Sequence, residues 1–396
     1  MRVAHILAGS PSPDVANGVR KYAYFIARAQ AALGLEPAVF WLTEESVTAI
    51  PDVLTRGFPC SLVPFRVPRA LLDQLERWRP DVLHLHSPYF PPNATLARWA
   101  RRAGIPYVVT PHGALSPGEI WQRWFLKLPY KFLFERRTLN GAAFVHAVGT
   151  AEDLSGYGVT VPVELAPCGI DFSTLPADPD CRVLAERHPI LEGRRIFLFL
   201  GRLDPAQKGL DLLLRAFTAA GLEMAALVLV GPDFRGGRAR LERLAARLRP
   251  SSPVVILGPI YGREKFDVVA GAQVFVYTSR WEGMAIAVLE GAATGVPCLL
   301  TKPADPLDLL SRGGGALSVE PEVGAIAEGF RRMHRASAAE LREMGARARQ
   351  IVASEFSWQR SAGILADAYA RHAPPLRHLE HFGSVDHVPG DLPAQR

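Results

Sequence analysis

Short apolar runs alternate with stretches of helical periodicity along nearly the whole chain. In the first half the runs fall at 2–8, 37–43, 81–86, 107–110, 143–148 and 163–166. In the second half they fall at 195–200, 226–230, 254–257, 274–278 and 297–301. Runs this short, rich in Val, Leu, Ile and Phe, read as strands. A helix-length pattern between successive strands predicts parallel pairing, because a parallel pair needs a long crossover. Two successive sets predict an α/β chain made of two Rossmann-like domains with parallel, doubly wound sheets. The polar, proline-containing stretch D-F-S-T-L-P-A-D-P-D at 171–180 marks the junction. The first domain is therefore 1–170 and the second 171–357, followed by a closing helix over about 358–372. Residues 373–396, rich in Pro, His and Gly and without periodicity, read as a mobile tail.

Open α/β sheets bind ligands beyond the carboxyl ends of their strands, and the chemistry-bearing motifs lie there. The apolar run ending near Ser279 leads into W-E-G-M-A-I-A-V-L-E, which carries Glu282 and Glu290. Read as strand, tight turn and helix, this places Glu290 about 12 Å along a helix axis from Glu282. A nucleotide sugar spans that length. Glu282 would accept sugar hydroxyls and Glu290 ribose hydroxyls, with the N–H groups of Gly283, Met284 and Ala285 free for a diphosphate. Upstream, G-R-L-D-P-A-Q-K-G places Arg202 and Lys208 around another strand-to-helix loop. Two such cations suit a pyrophosphate leaving group; the plainer reading is a solvated pair. His112 follows a strand directly, and Gly113 lets the backbone turn there. A lone His is usually structural, but a place just past a strand end would let His112 donate to a sugar hydroxyl. His84 and His86 alternate on one strand and read as core residues, with His86 nearer the cleft.

Taken together, G-R-L…K-G, the two glutamates with seven residues between them, G-V-P at 295–297, P-H-G at 111–113, P-C-G-I-D at 167–171 and E-F-S-W at 355–358 form one pattern. It resembles the GT-B retaining glycosyltransferases of family 4. The resemblance implies two facing domains with an interdomain cleft, donor on the second and acceptor on the first, and a C-terminal helix crossing back to complete the first. It implies retention at the anomeric carbon and chemistry with no cofactor and no metal. Among relatives it is strongest to bacterial enzymes of surface or extracellular polysaccharide assembly. Two departures stand out. The first loop has Asn17-Gly18 where two glycines are common; only Gly18 is kept, and Asn tolerates a positive φ, so the loop could still form. Cys168 replaces a usual Asn, and Gly169 and Asp171 read as structural. Arg20 and Lys21 at a helix start read as solvated charges, the alternative being contacts to an anionic acceptor. No nucleophile can be assigned, which fits same-face attack with the leaving phosphate taking the proton. Two rivals remain: a nucleotide-sugar epimerase on the same frame, and a non-catalytic partner subunit of a transferase. A dehydrogenase fails because the first strand is followed by no G-x-G-x-x-G.

The formal charge of +6 and pI near 9.3 do not indicate nucleic acid, because no long basic block is present. They fit anionic lipid or phosphorylated ligands. The stretch 121–137 sharpens this: Arg123, Lys127 and Lys131 are spaced by four, with Trp121, Trp124, Phe125, Leu128 and Phe132 on another face. That is the pattern of a basic amphipathic helix at a membrane surface, interrupted by Pro129. The alternative is a core helix with a solvated basic face. Cys60, Cys168, Cys181 and Cys298 form no C-x-x-C pair and read as reduced thiols. No apolar run reaches spanning length, and the first residues lack the features of a secretory signal. The expected location is cytoplasmic, peripheral at the inner membrane face if 121–137 docks there.

Overall fold

The computed structural model describes residues 1–13, 15, 17–43, 49–59, 63–116, 118, 124–150 and 152–374. Its strands form two parallel sheets. The first contains β1 (Arg2–Leu7), β2 (Glu36–Trp41), β3 (Leu54–Gly57), β4 (Val82–His86), β5 (Tyr107–Thr110), β6 (Phe144–Ala147) and β7 (Val163–Leu165), in the order β3-β2-β1-β4-β5-β6-β7. The second contains β8 (Arg195–Leu200), β9 (Ala225–Val230), β10 (Val254–Leu257), β11 (Val274–Tyr277), β12 (Cys298–Thr301) and β13 (Ala316–Val319), ordered β10-β9-β8-β11-β12-β13. The order reverses between β1 and β4, and again between β8 and β11. Each reversal opens a crevice at the carboxyl ends of the strands, and the two crevices face each other.

Central strands such as β9 are buried along their whole length, which explains why they read as continuous apolar runs rather than alternating ones. The two strands absent from the apolar pattern are β3 and β13, both at sheet edges. Leu-Thr-Arg-Gly in β3 is largely exposed, so it carries no burial signature.

The chain passes between the sheets twice, and the two crossings run side by side. Ile170 pairs with Ser357, and the Ile170 N–H donates to Phe356 O at 2.8 Å. A Cβ on Gly169 would sit 2.3 Å from Trp358 N, so only glycine allows this approach. Asp171 caps the next turn through Ser173 N and pairs with Arg28. The helix Trp358–His372, capped by Ser357, then returns to the first sheet. There Trp358, Leu365 and Tyr369 share a core with Val3, Tyr22 and Ile26. Nearly all of the tail, from residue 375 on, lies outside the described residues.

The stretch 121–137 differs from its expected form. Trp121 and Arg123 lie outside the described residues. Helix Trp124–Tyr130 runs through a widened turn, Lys131–Glu135, directly after Pro129. Its outward face is apolar rather than basic: Phe125, Leu126, Phe132 and Leu133 are each about 60% exposed. The lysines fold inward onto rings, Lys131 Nζ lying 4.1 Å from the centroid of Tyr157 and Lys127 Nζ 5.2 Å from that of Tyr89. Their aliphatic stems and the aromatic faces make this the favoured placement.

Candidate active site

On the second-domain side, the loop after β8 is drawn onto the end of β11 by Gly209. Its φ is +61°, and a Cβ there would lie 2.1 Å from Thr278 O. This seats Lys208 against Glu282 in an ion pair whose side chains are both more than nine-tenths buried. Ser279 Oγ donates to the same oxygen, Glu282 Oε1, at 2.5 Å. Burial opposes the Lys208 ammonium, yet Glu282 and Tyr277 beside it raise its pKa above the ordinary value. Arg202 behaves differently. It donates to Gln207 Oε1 at 3.0 Å and lies 4.6 Å over the Phe234 ring, on the cleft wall. The two cations that look alike in sequence are thus one buried structural charge and one cleft-facing charge.

The helix after Glu282 begins later than the sequence suggests, at Ile286, and ends at Ala293. Glu282 to Ala285 form an irregular turn, so the regular helical rise covers only part of the spacing to Glu290. Glu290 is buried, and its Oε1 accepts from Lys21 Nζ and Lys265 Nζ, both at 2.9 Å. Burial pushes the Glu290 carboxyl up, but Lys21 and Lys265 more than reverse this and hold it at about 2. Lys21 is therefore not a solvated charge. It reaches from the first domain to the second, because Glu290 offers a buried counter-charge opposite the helix Gly18–Ala32. Each glutamate is held through Oε1, and Oε2 takes no hydrogen bond from the described residues.

On the first-domain side, Asn17 is extended, with φ −133°, and caps the helix Gly18–Ala32 by accepting from Val19 N and Arg20 N. Its tolerance of a positive φ is not called on, because capping satisfies free N–H groups with ordinary backbone geometry. Gly18 lines the cleft 3.9 Å from Ile286 Cδ1, measured from where a Cβ would stand. His112 has φ +55° and Gly113 φ +82°. A Cβ on Gly113 would lie 2.5 Å from Gly283 Cα, and one on Gly149 2.2 Å from Gly283 O. The domains therefore touch through glycine backbone at this point. Met284 and Ile286 carry the contact further, packing beside Val148, Cys168 and Trp358.

Three residues that sequence reasoning left out belong here. Lys21 and Lys265 hold Glu290, and Glu152 accepts from Gly113 N at 2.5 Å. Burial pushes the Glu152 carboxyl up to about 8, with the Gly113 bond pulling the other way. Glu152 lies shortly beyond the carboxyl end of β6, a position that could have marked it. The lysines carry no such signal, since their partner is distant in sequence.

Together these groups line a cleft of about 650 Å³ that holds Gly18, His112, Arg202, Lys208, Glu282 to Ala285 and Glu290. Pro259, Ile260 and Tyr261 line it as well. Arg202, Lys208, Lys21 and Lys265 outnumber Glu282 and Glu290, so the site favours an anion of diphosphate charge.

Behind His112 lies an array of buried histidines. His5, His84 and His86 stack with ring centroids 4.6–5.2 Å apart. Their ring nitrogens come close enough to suggest a metal centre, but the rings are within 28° of parallel. A metal needs lone pairs converging on one point, whereas each nitrogen here already has its own hydrogen-bond partner. Burial lowers the pKa of His5 and His146 to about 4 and of His112 to about 3, and that of His84 and His86 well below ordinary.

Residues 16–174 match the family model described as Glycosyltransferase Family 4, and residues 182–351 match Glycosyl transferases group 1. The chain is 28% identical over 307 residues to a GDP-mannose-dependent alpha-(1-6)-phosphatidylinositol dimannoside mannosyltransferase of Mycobacterium tuberculosis, covering 76% of each. It is 30% identical over 254 residues to the corresponding monomannoside mannosyltransferase of Mycolicibacterium smegmatis, covering 60% of this chain and 61% of that one. Among solved structures, sucrose-phosphate synthase from Thermosynechococcus elongatus has the same fold, with a TM-score of 0.75 at 22% identity over 93% of this chain and 98% of that one.

Proposed function

Because this chain belongs to the family 4 GT-B glycosyltransferases, we propose that it transfers a hexose, with retention, from a nucleotide-diphosphate sugar to a glycan or lipid-linked acceptor. We place this step in bacterial surface or extracellular polysaccharide assembly and expect it to need no divalent metal. The observation that carries the reading is the pair of glutamates, each anchored through one oxygen with the other left for a ligand. Glu290 Oε2 would take ribose hydroxyls. Glu282 Oε2 would take sugar hydroxyls, with Gly283, Met284 and Ala285 shaping the turn beneath. The diphosphate would lie between Arg202 and the N–H groups of Gly283, Met284 and Ala285, just ahead of the helix. Arg202 stabilises the charge that grows as the glycosidic C–O bond breaks. Lys208 acts chiefly by fixing Glu282.

Retention is carried over from the family resemblance, and the state of the carboxylates bears only on its route. Glu282 is paired with Lys208, and burial keeps Glu152 protonated near neutrality, so neither is a free nucleophile of the double-displacement kind. The acceptor oxygen would then attack from the face the phosphate leaves, its proton passing to the departing phosphate oxygen. His112 would contact the transferred sugar. The names of the mycobacterial relatives make GDP-mannose the first donor to try and a mannosylated phosphoinositide the first acceptor class. The exposed apolar face of Phe125, Leu126, Phe132 and Leu133 supports a lipid-linked acceptor approached from a membrane surface.

Thermal unfolding of the purified chain with GDP, UDP, ADP, CMP or dTDP, each with and without EDTA, tests the donor site. The reading expects one nucleoside diphosphate to raise Tm equally in both conditions, and the matching nucleotide sugar then to turn over. Stabilisation by none would overturn the donor site; stabilisation without turnover of any nucleotide sugar would favour a partner subunit.

A further inference from the structure

We propose that a one-directional chain of hydrogen bonds, anchored at the Ala166 carbonyl, fixes His112 as the Nε2–H tautomer. Its Nδ1 is then a bare acceptor at the cleft. The histidine array is the device that sets this.

Heavy-atom positions leave the orientation of Gln and His hydrogens open, but one group in the chain has no choice. A backbone carbonyl only accepts, so His146 Nε2–H donates to Ala166 O at 2.8 Å. Neutral His146 then has an unprotonated Nδ1, and the Thr110 hydroxyl donates to it at 2.7 Å. That hydroxyl has spent its proton and must accept from His84 Nε2–H, at 2.5 Å. His84 Nδ1 accepts from the Tyr369 hydroxyl at 2.6 Å. Tyr369 in turn accepts from Gln30 Nε2 at 3.3 Å, which turns the amide oxygen toward His5. His5 Nε2–H donates to that oxygen at 2.7 Å, and His86 Nε2–H donates to His5 Nδ1 at 2.9 Å. The last link is His112 Nε2–H donating to His86 Nδ1 at 2.9 Å. Every donor and acceptor is used once, as neutral rings require, and burial keeps the rings neutral. One reversal anywhere would set two hydrogens or two lone pairs against each other; at Gln30 a flipped amide would face its oxygen to that of Tyr369, whose proton already goes to His84.

At the open end, His112 Nδ1 has no partner among the described residues, and His112 lines the cleft. The expectation that His112 donates to the sugar is thereby reversed: its cleft nitrogen can only accept. An acceptor lone pair selects a sugar that presents a hydroxyl to it. It also suits developing positive charge at an anomeric carbon, which an N–H or an imidazolium would repel. That consequence rests on the glycosyl-transfer reading; the tautomer does not. Gln30 comes from the first helix and Tyr369 from the closing helix, so these are positioning residues that act through His86.

The test uses the full chain with 15N-labelled histidine and no substrate. Long-range 1H–15N correlation spectra at pH 7.5, with His112 identified by its loss in His112→Gln, should show a protonated Nε2 and an unprotonated Nδ1. A proton on His112 Nδ1, or an imidazolium, would overturn the proposal. Gln30→Met removes the acceptor for His5. It should lower kcat about tenfold or more, the scale of one lost buried hydrogen bond, with donor KM nearly unchanged. Gln30→Glu keeps an oxygen toward His5 and should restore the His112 spectrum and most of kcat. Equal losses in both variants, with unaltered His112 resonances, would mean that Gln30 only packs and would sink the chain. If Gln30→Met does not fold, the parent spectrum still decides. If the spectrum is as expected but no nucleotide sugar is turned over, only the transfer reading fails.

Discussion

Lowering the pH from 7 to 5 should loosen the first domain by a large and calculable amount. His5, His84, His86, His112 and His146 all have pKa values depressed by burial, to about 4, about 3 or well below ordinary. A base with a depressed folded pKa gives stability that is present above the unfolded pKa and lost as pH falls through it. In the unfolded chain each histidine titrates near 6.5, so moving from pH 7 to 5 costs about 2 kcal/mol per histidine. The exact folded value hardly matters, since none of the five protonates appreciably in the fold above pH 5. Together they cost about 9 kcal/mol. Glu135 and Glu152 work in the opposite sense. Burial raises both to about 8, so the fold holds their protons while the unfolded chain releases them above about 4.5. Each regains about 2.5 kcal/mol over the same window. The net loss is about 4 kcal/mol, a large part of the 5–15 kcal/mol typical of a domain. Hydrogen exchange read by mass spectrometry on peptides covering β1, β4 and β5, corrected for intrinsic rates, reports this opening free energy. A difference under about 1 kcal/mol between pH 7 and 5, or a rise at pH 5, would refute the neutral buried array.

Three further outcomes follow from the cleft and its rim. Gly113→Ala places a Cβ 2.5 Å from Gly283 Cα and should cut kcat strongly while nucleotide affinity, measured by calorimetry, changes little; equal loss of both would argue against a domain contact. Glu282→Gln strands the buried Lys208 ammonium and should cost about 3–5 kcal/mol of second-domain stability in urea unfolding, along with most activity. A variant as stable as the parent would show that the pair is not buried in solution. Phe132→Ser with Leu133→Ser should reduce co-sedimentation with vesicles containing phosphatidylinositol, leaving nucleotide-induced Tm shifts intact; unchanged sedimentation would remove the membrane from the acceptor reading.

The amino-acid sequence by itself determined the architecture and set the candidate site residues at strand ends. Central strands are buried on both faces, so the run from Ile196 to Leu200 or from Ala225 to Val230 announces itself without any neighbour in view. Strand-to-helix loops are local, so the segments bearing Arg202, Glu282 and Glu290 could be placed at strand ends from spacing alone. Edge strands β3 (Leu-Thr-Arg-Gly) and β13 (Ala-Leu-Ser-Val) stayed hidden because each has only four residues with polar or small side chains among them, whereas the edge strand β10 is an unbroken Val-Val-Ile-Leu run. What only the tertiary structure decided is which charge meets which. Lys208 and Arg202 are six positions apart and chemically alike, yet one is buried on Glu282 and the other faces the cleft. Lys21 finds Glu290 across 269 residues, and Gln30 finds Tyr369 across 339. Burial turns isolated histidines into one directed chain, because a buried donor or acceptor must find a partner wherever the fold brings one. Hydrophobic pattern is written residue by residue; the protonation and pairing of buried polar groups exist only once distant segments share a core.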